Sequence, residues 1–301
     1  MLMQAVQAYV DVRRAAGFAL HHTERMLRDF ARCAAAQGET HIRTTTAIAW
    51  ASRASSRYQR DRRLKQVIRF ARHVRAEDAT HQLPPDHVFS GPHVSRLPRI
   101  FEPEQIRRIV EQAGTLGPAD SIRPFTYQTL FGLLASCGLR ISEALTLQVE
   151  DVTTDGLIIR HTKFRKTRLV PMHETTERAM QDYLRRRRAV AGATTHCFVS
   201  MHGKPLCYPT VNRTFRTILC ELGLRAGAGA SGARLHDLRH TLAVRALEHS
   251  PHEHVANHML ALSTYLGHSK VTHTYWYLHV TPHLLAGIAD ACRAQIEGGA
   301  P

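Results

Sequence analysis

Thr264-Tyr-Leu-Gly-His-Ser-Lys-Val-Thr-His-Thr-Tyr-Trp-Tyr277 ends on a tyrosine nine residues beyond the histidine of a Leu-Gly-His turn. Upstream, Leu235-His-Asp-Leu-Arg-His240 sets a histidine and an arginine three apart. A phenol, imidazoles and a guanidinium suit one kind of chemistry, attack of the phenol on a phosphodiester while cations hold the phosphate. That chemistry also needs a second cation on the phosphate, an acid for the leaving group and a surface for the polyanion. The remaining question is whether the rest of the chain supplies them.

The composition fits this requirement. A chain of 301 residues, 44% hydrophobic, is long enough for two ordinary domains with substantial cores. Forty Lys and Arg against 25 Asp and Glu leave a formal charge of +15, which favours a polyanionic partner, nucleic acid or an acidic membrane surface. Arginine predominates, as suits bidentate phosphate contacts. No apolar run reaches the length of a membrane span, and Met1-Leu-Met-Gln-Ala-Val-Gln-Ala lacks the basic start of a signal peptide, so a cytoplasmic protein is expected. The cysteines at 33, 137, 197, 207, 220 and 292 form no C-x-x-C pair, and neither disulfides nor a zinc cluster is expected. In His249-Ser-Pro-His252-Glu-His254-Val-Ala-Asn-His258, Ala256 falls where H-E-x-x-H would place its second histidine. This stretch reads as a solvated, weakly basic segment, not a metal site.

Residues 1–90 read as helical. One helix is predicted from Leu2 to Ala16, stopped by Gly17, and a second from Thr23 as N-cap to before Gly38. A third, Thr45 to Arg53, carries Ile48 and Trp50 inward. The fourth, Ser56 to Arg75, sets Leu64, Val67, Ile68, Ala71 and Val74 on one stripe and Arg62, Lys65, Arg69 and Arg72 on another. Basic helix faces are more often merely solvated. Here 15 Lys and Arg against 8 Asp and Glu in residues 1–90 favour a face that lies along DNA.

Pro84-Pro85 and Ser90-Gly-Pro-His-Val-Ser-Arg-Leu-Pro98 break the periodicity and read as a linker. Beyond it, Pro103 opens a helix, another runs from Pro124 to Ser136, and Gly138 ends it before Leu139-Arg140-Ile-Ser-Glu143. Two short strands, 156–161 and 167–171, flank the basic tip Lys163-Phe-Arg-Lys166. Helices follow at 174–188 and 208–222, with a possible strand at Cys197–Val199. Arg185 to Arg188 reads as a solvated helix end, with contact to DNA backbone as the alternative, and 225–232 as a flexible loop before the helix of His236.

Gly138-Leu-Arg140-Ile-Ser-Glu143-Ala-Leu, Leu235-His236-Asp-Leu-Arg239-His240, Leu266-Gly-His268 and Tyr277, in this order, resemble the tyrosine recombinase (phage lambda integrase) family. Each motif alone is weak; the ordered set is specific. The resemblance covers residues 101–282 closely and 1–90 loosely. It implies a mainly α protein of two domains. These are a helical core-binding domain at 1–90, a linker at 91–100, and a mostly α catalytic domain with a small β-hairpin at 101–301, together clamping duplex DNA. Arg140 and Arg239 would neutralise the nonbridging oxygens. His236 and His268 would hydrogen-bond the phosphate and move protons. Lys163, with Lys166 as rival, would protonate the departing 5′-hydroxyl. His240 reads as a packing or supporting group, and Asp237 as an orienting or capping one. Tyr275 and Tyr277 point about 200° apart on a helix, so only one can face the phosphate; the family spacing selects Tyr277. The product is a 3′-phosphotyrosyl link that keeps the phosphodiester energy, so no cofactor and no metal is expected. The resemblance further implies a homotetramer on paired sites, with an amphipathic helix at 283–296 docking on a neighbouring protomer or in cis. It is closest in character to integrases and transposases of mobile elements. A chromosome-dimer resolvase of the Xer type is the alternative, then a type IB topoisomerase or a catalytically silent DNA-binding protein.

Overall fold

The computed structural model describes residues 1–91, 97–160, 167–225, 232–249, 255–267, 272–275 and 277. Lys163, Lys166, His268, residues 250–254 of the histidine-rich stretch and the segment 283–296 lie outside them, as does the side chain of Tyr275. The chain divides into two compact units, residues 1–96 and 97–301. The described residues are mainly helical, with a small three-stranded antiparallel sheet. Among the described residues, no helix is long and apolar enough to cross a membrane.

In the first unit, α1 (Leu2–Ala15), α2 (His21–Ala35), α3 (Thr44–Ser52) and α4 (Arg57–Val74) close round one core. The predicted stripe on α4 is buried throughout, and Trp50 meets Phe30 edge to face at 5.5 Å. Its indole N–H donates to Asp29 at 2.9 Å, so the ring is buried without leaving its polar atom unpaired. Ser56 caps α4 by accepting the Gln59 N–H, a contact worth about 1 kcal/mol. Thr23 is not the cap of α2. The chain enters that helix two residues earlier, straight from Leu20 at φ 50°, and the Thr23 hydroxyl instead donates to Gln66 on α4.

His41, Asp78 and His81 cluster where the chain leaves α4. Nδ1 of the buried His81 accepts the Ile42 N–H at 3.1 Å, so the ring proton belongs on Nε2 and the imidazole must stay neutral. Burial pushes His81 below its ordinary value, against the pull of Asp78 and with the help of His41. A depressed histidine contributes stability that is complete above the unfolded value of 6.5 and is lost as pH falls through the lower folded value. The full chain is therefore expected to lose stability below pH 6.5, at no more than about 1.4 kcal/mol per pH unit for this one group. His81→Gln should flatten that dependence in urea unfolding at pH 7 to 5; an unchanged slope would refute the assignment.

The second unit holds α5 (Pro103–Ala113), α6 (Arg123–Cys137) and α7 (Ile141–Thr146). Strands β1 (Val152–Thr153), β2 (Gly156–Ile159) and β3 (Arg168–Val170) follow. Then come α8 (Glu174–Arg187), α9 (Tyr208–Glu221), α10 (Leu235–Glu248), α11 (Val255–Leu266) and the short α12 (Thr272–Tyr275). Helix α6 is apolar nearly all round and runs through the middle, against α5, α8 and α10. The sheet pairs Leu157 with both Val152 and Val170. Two expectations fail here. Cys197–Val199 makes only an isolated bridge, because the Tyr183 hydroxyl takes the place of a ladder, donating to the Cys197 carbonyl and accepting the Val199 N–H. Arg187 is not a solvated helix end but is buried, with its guanidinium donating to the carbonyls of Thr194, His196 and Cys197. Its neighbours remain outside, Arg185 on Asp182 and Arg186 over the Phe125 ring.

Candidate active site

Two glycines in left-handed conformation shape the site. Gly138 (φ +59°) ends α6, and a Cβ there would lie 2.6 Å from Leu242. The tight turn buries Leu139 and places Arg140 at the N-cap of α7. Gly267 (φ +66°) ends α11, where a Cβ would meet the Arg168 guanidinium at 2.9 Å. Each turn leaves its carbonyls pointing at an arginine. Arg239 donates to Gly138 O at 2.6 Å and to Leu266 O at 2.5 Å; Arg140 donates to Gly267 O at 3.0 Å. The Leu-Gly-His turn and the Gly-Leu-Arg turn therefore hold the two predicted arginines together.

Helix α10 supplies the rest. The buried Asp237 caps its start by accepting the Arg234 N–H at 2.8 Å. His236, Arg239 and His240, at i, i+3 and i+4, then share one face. Arg239 is only 1% exposed. Burial, with the charge of Arg140, pushes it down to about 10, which still leaves it charged at neutral pH. Packing of the His236 ring comes first, ahead of the charges of Arg239 and Arg140, in pushing that imidazole down to about 4, although the residue as a whole is exposed.

A single carboxylate frames the cations. Glu143, the third residue of α7, accepts the Arg140 backbone N–H at 2.9 Å and its guanidinium at 2.8 Å. From β3, Arg168 donates to both Glu143 oxygens, at 3.1 and 2.9 Å, and its Nε donates to Tyr265 O. Burial alone would raise the Glu143 carboxyl, but the bonds from Arg168 and Arg140 outweigh it and pull it down to about 2. Arg140 and Arg168 are thus fixed in orientation by one anion between them.

Tyr277 lies against this frame. It is 2% exposed and packs with Val244 and Leu247 of α10 and Met259, Leu262 and Leu266 of α11. Its hydroxyl is 3.1 Å from Nδ1 of His240, whose ring meets that of His236 edge-on at 4.5 Å. Burial pushes the phenol up, while the charge and hydrogen bond of Arg239 and the charge of Arg140 pull it back. The fold therefore brings Arg140, His236, Arg239 and Tyr277 together. Lys163 and His268 fall outside the described residues. Sequence reasoning missed the contact of His240 with the Tyr277 hydroxyl, and the frame made by Glu143 and Arg168. Glu143 was findable from its capping-box spacing after Arg140; nothing local marks Arg168.

On the first unit, Arg62, Lys65, Arg69 and Arg72 are all exposed along α4, as their spacing predicts, and Lys65 pairs with Asp61. An open groove between α2 and α4 adds Arg25, Arg32 and Arg63 beside Arg62. The α2 arginines escape a reading of α4 alone because only helix packing sets them beside it.

A sequence model of the phage integrase family matches residues 99–283. The chain is 40% identical over 295 residues to y4rB of Sinorhizobium fredii, named an integrase/recombinase, with 94% of each chain covered. It is 28% identical over 236 residues to the tyrosine recombinase XerC of Chlamydia trachomatis, covering 76% of this chain and 69% of that one. Among solved structures, the XerH site-specific recombinase in a post-cleavage complex with its difH substrate gives a TM-score of 0.65 at 17% identity, over 88% of this chain and 77% of that one. The Tn1549 transposon integrase in complex with circular intermediate DNA gives 0.62 at 19% identity, over 91% and 94%. These two likenesses are of fold.

Proposed function

The chain belongs to the phage integrase family of tyrosine recombinases, enzymes that cut and rejoin DNA, and from that premise we propose that Tyr277 is its nucleophile. The observation that carries this reading is the Tyr277 hydroxyl, buried against Arg239 and 3.1 Å from His240, beside an Arg140 fixed by Glu143. In the proposed reaction the phenolic oxygen attacks a phosphodiester phosphorus of duplex DNA. The P–O5′ bond breaks, the 5′-oxygen takes a proton from Lys163, and a 3′-phosphotyrosyl link remains. Arg140 and Arg239 stabilise the charge that gathers on the nonbridging oxygens, with His236 and, by resemblance, His268 as further donors. Attack of a 5′-hydroxyl on the phosphotyrosine reverses the step and rejoins the strand.

The α4 face of Arg62, Lys65, Arg69 and Arg72, with the adjoining groove, is the proposed backbone-binding surface of the helical unit. Four protomers on two sites would exchange strands. We further propose integration, excision or transposition of a mobile element as the biological role. The greater likeness, in identity and coverage, to an integrase/recombinase than to XerC favours it over chromosome-dimer resolution.

The test is a nicked suicide substrate bearing an end of the element. Wild-type protein is expected to give an SDS-resistant adduct whose nucleotide maps to the peptide containing Tyr277. No adduct on any end, or a nucleotide on Tyr275, would overturn the mechanism. Relaxation of a plasmid without sites, in the absence of exchange between paired sites, would point to a topoisomerase.

A further inference from the structure

We propose that His240 is a catalytic residue, the base that takes the proton from Tyr277 during cleavage and returns it during rejoining. The inference rests on the recombinase reading of the site and adds a role that the sequence motifs do not assign. Nδ1 of His240 stands 3.1 Å from the phenolic oxygen, within reach for direct proton transfer. The hydroxyl belongs to a residue 2% exposed, so bulk water is poorly placed to accept the proton. A phenol is a weak nucleophile until deprotonated, and its ordinary value near 10 is here raised by burial. A base in contact answers this requirement.

The surroundings suit transfer in both directions. Arg239 and Arg140 favour the phenolate, and the proposed role requires the His240 tautomer whose Nδ1 carries no proton. In that tautomer the Tyr277 hydroxyl donates and Nδ1 accepts. The neighbouring His236, edge-on at 4.5 Å and held neutral, adds no competing charge when His240 takes up its proton. His240 sits in the second turn of α10, directly after the buried Arg239. One rigid element therefore carries both the phosphate-side cation and the base.

The proton moves from the Tyr277 oxygen to Nδ1, the O–P bond forms, the P–O5′ bond breaks, and the 5′-oxygen is protonated by the separate acid proposed at Lys163. In rejoining, a 5′-hydroxyl loses its proton to that group, and Nδ1–H of His240 protonates the departing phenol.

The experiment compares His240→Asn and His240→Ala with wild type in single-turnover adduct formation, alongside melting and gel-shift controls. Asn keeps an amide near Nδ1 that can hydrogen-bond but cannot carry the proton. Each protein is given an ordinary suicide substrate and one with sulfur at the bridging 5′ position, a leaving group that needs no protonation. Both variants are expected to melt and bind DNA as wild type does, and to cleave about 100-fold more slowly or worse on both substrates. Asn cleaving at the wild-type rate would reduce His240 to a positioning contact and overturn the proposal. Recovery of either variant on the sulfur substrate would overturn it too, by moving His240 to the leaving group. Absence of adduct from wild type would instead count against the recombinase reading.

Discussion

Tyr277→Phe is expected to abolish the covalent adduct, by on the order of 10⁴-fold or more, while leaving the protein folded and bound to DNA. The substitution removes one oxygen. The ring stays packed against Val244, Leu247, Met259, Leu262 and Leu266, and what is lost structurally is the hydroxyl's hydrogen bonds to His240 and Arg239, about 1 kcal/mol each. Stability and affinity should therefore move little, since Arg239 keeps its bonds to the Gly138 and Leu266 carbonyls and Arg140 its bond to Glu143. The check is adduct yield on the suicide substrate together with melting temperature and gel shift. An adduct formed by the Phe variant would transfer the nucleophile to another residue, Tyr275 first.

Glu143→Ala is expected to be the most damaging change to the site that touches no proposed reacting group. Two guanidiniums, Arg140 and Arg168, share this carboxylate, and α7 loses its N-terminal acceptor with it. Removing one partner of a buried ion pair leaves charge uncompensated and costs roughly 3 kcal/mol, taken at the low end because Arg140 is partly exposed. For a unit of this size that is a fall in melting temperature of about 6–12 °C. Arg140 keeps its bond to Gly267 O but loses its lateral fix, and cleavage should slow about 100-fold. The acid limb supplies a second readout. Glu143 is held at about 2, below its ordinary 4.5, so its contribution is complete above 4.5 and fades as pH falls toward 2. Glu143→Gln should remove that part of the acid sensitivity. Melting curves of wild type and the Gln variant that fall in parallel from pH 5 to 2.5 would show that the carboxylate does not hold the frame.

The particular residues show why some of this was legible in the chain and some was not. Local signals are carried by short-range physics. The stripe of α4, the proline at the start of α5 and the glycine at the end of α6 each act within one or two turns, and each element stands where those residues put it. Thr23 fails as a cap because Leu20, directly ahead of the first helical residue His21, takes up the entry turn first. Arg187 shows the converse. In sequence it is one of four arginines, and only the return of residues 194–197 past the end of α8 turns it into a buried donor.

The same division runs through the site. The amino-acid sequence by itself determined the mainly helical architecture, the family, and the candidates Arg140, His236, Arg239 and Tyr277, because caps, periodicity and motif spacing are written within short stretches. The tertiary structure alone decided that Gly138 O and Leu266 O orient Arg239, that Glu143 bridges Arg140 to Arg168, and that His240 meets the Tyr277 hydroxyl. Those contacts join residues 25 to 101 positions apart along the chain, apart from the local bridge of Glu143 to Arg140. No spacing rule reaches that far; the packing of α10 and α11 against the end of α6 sets the distances.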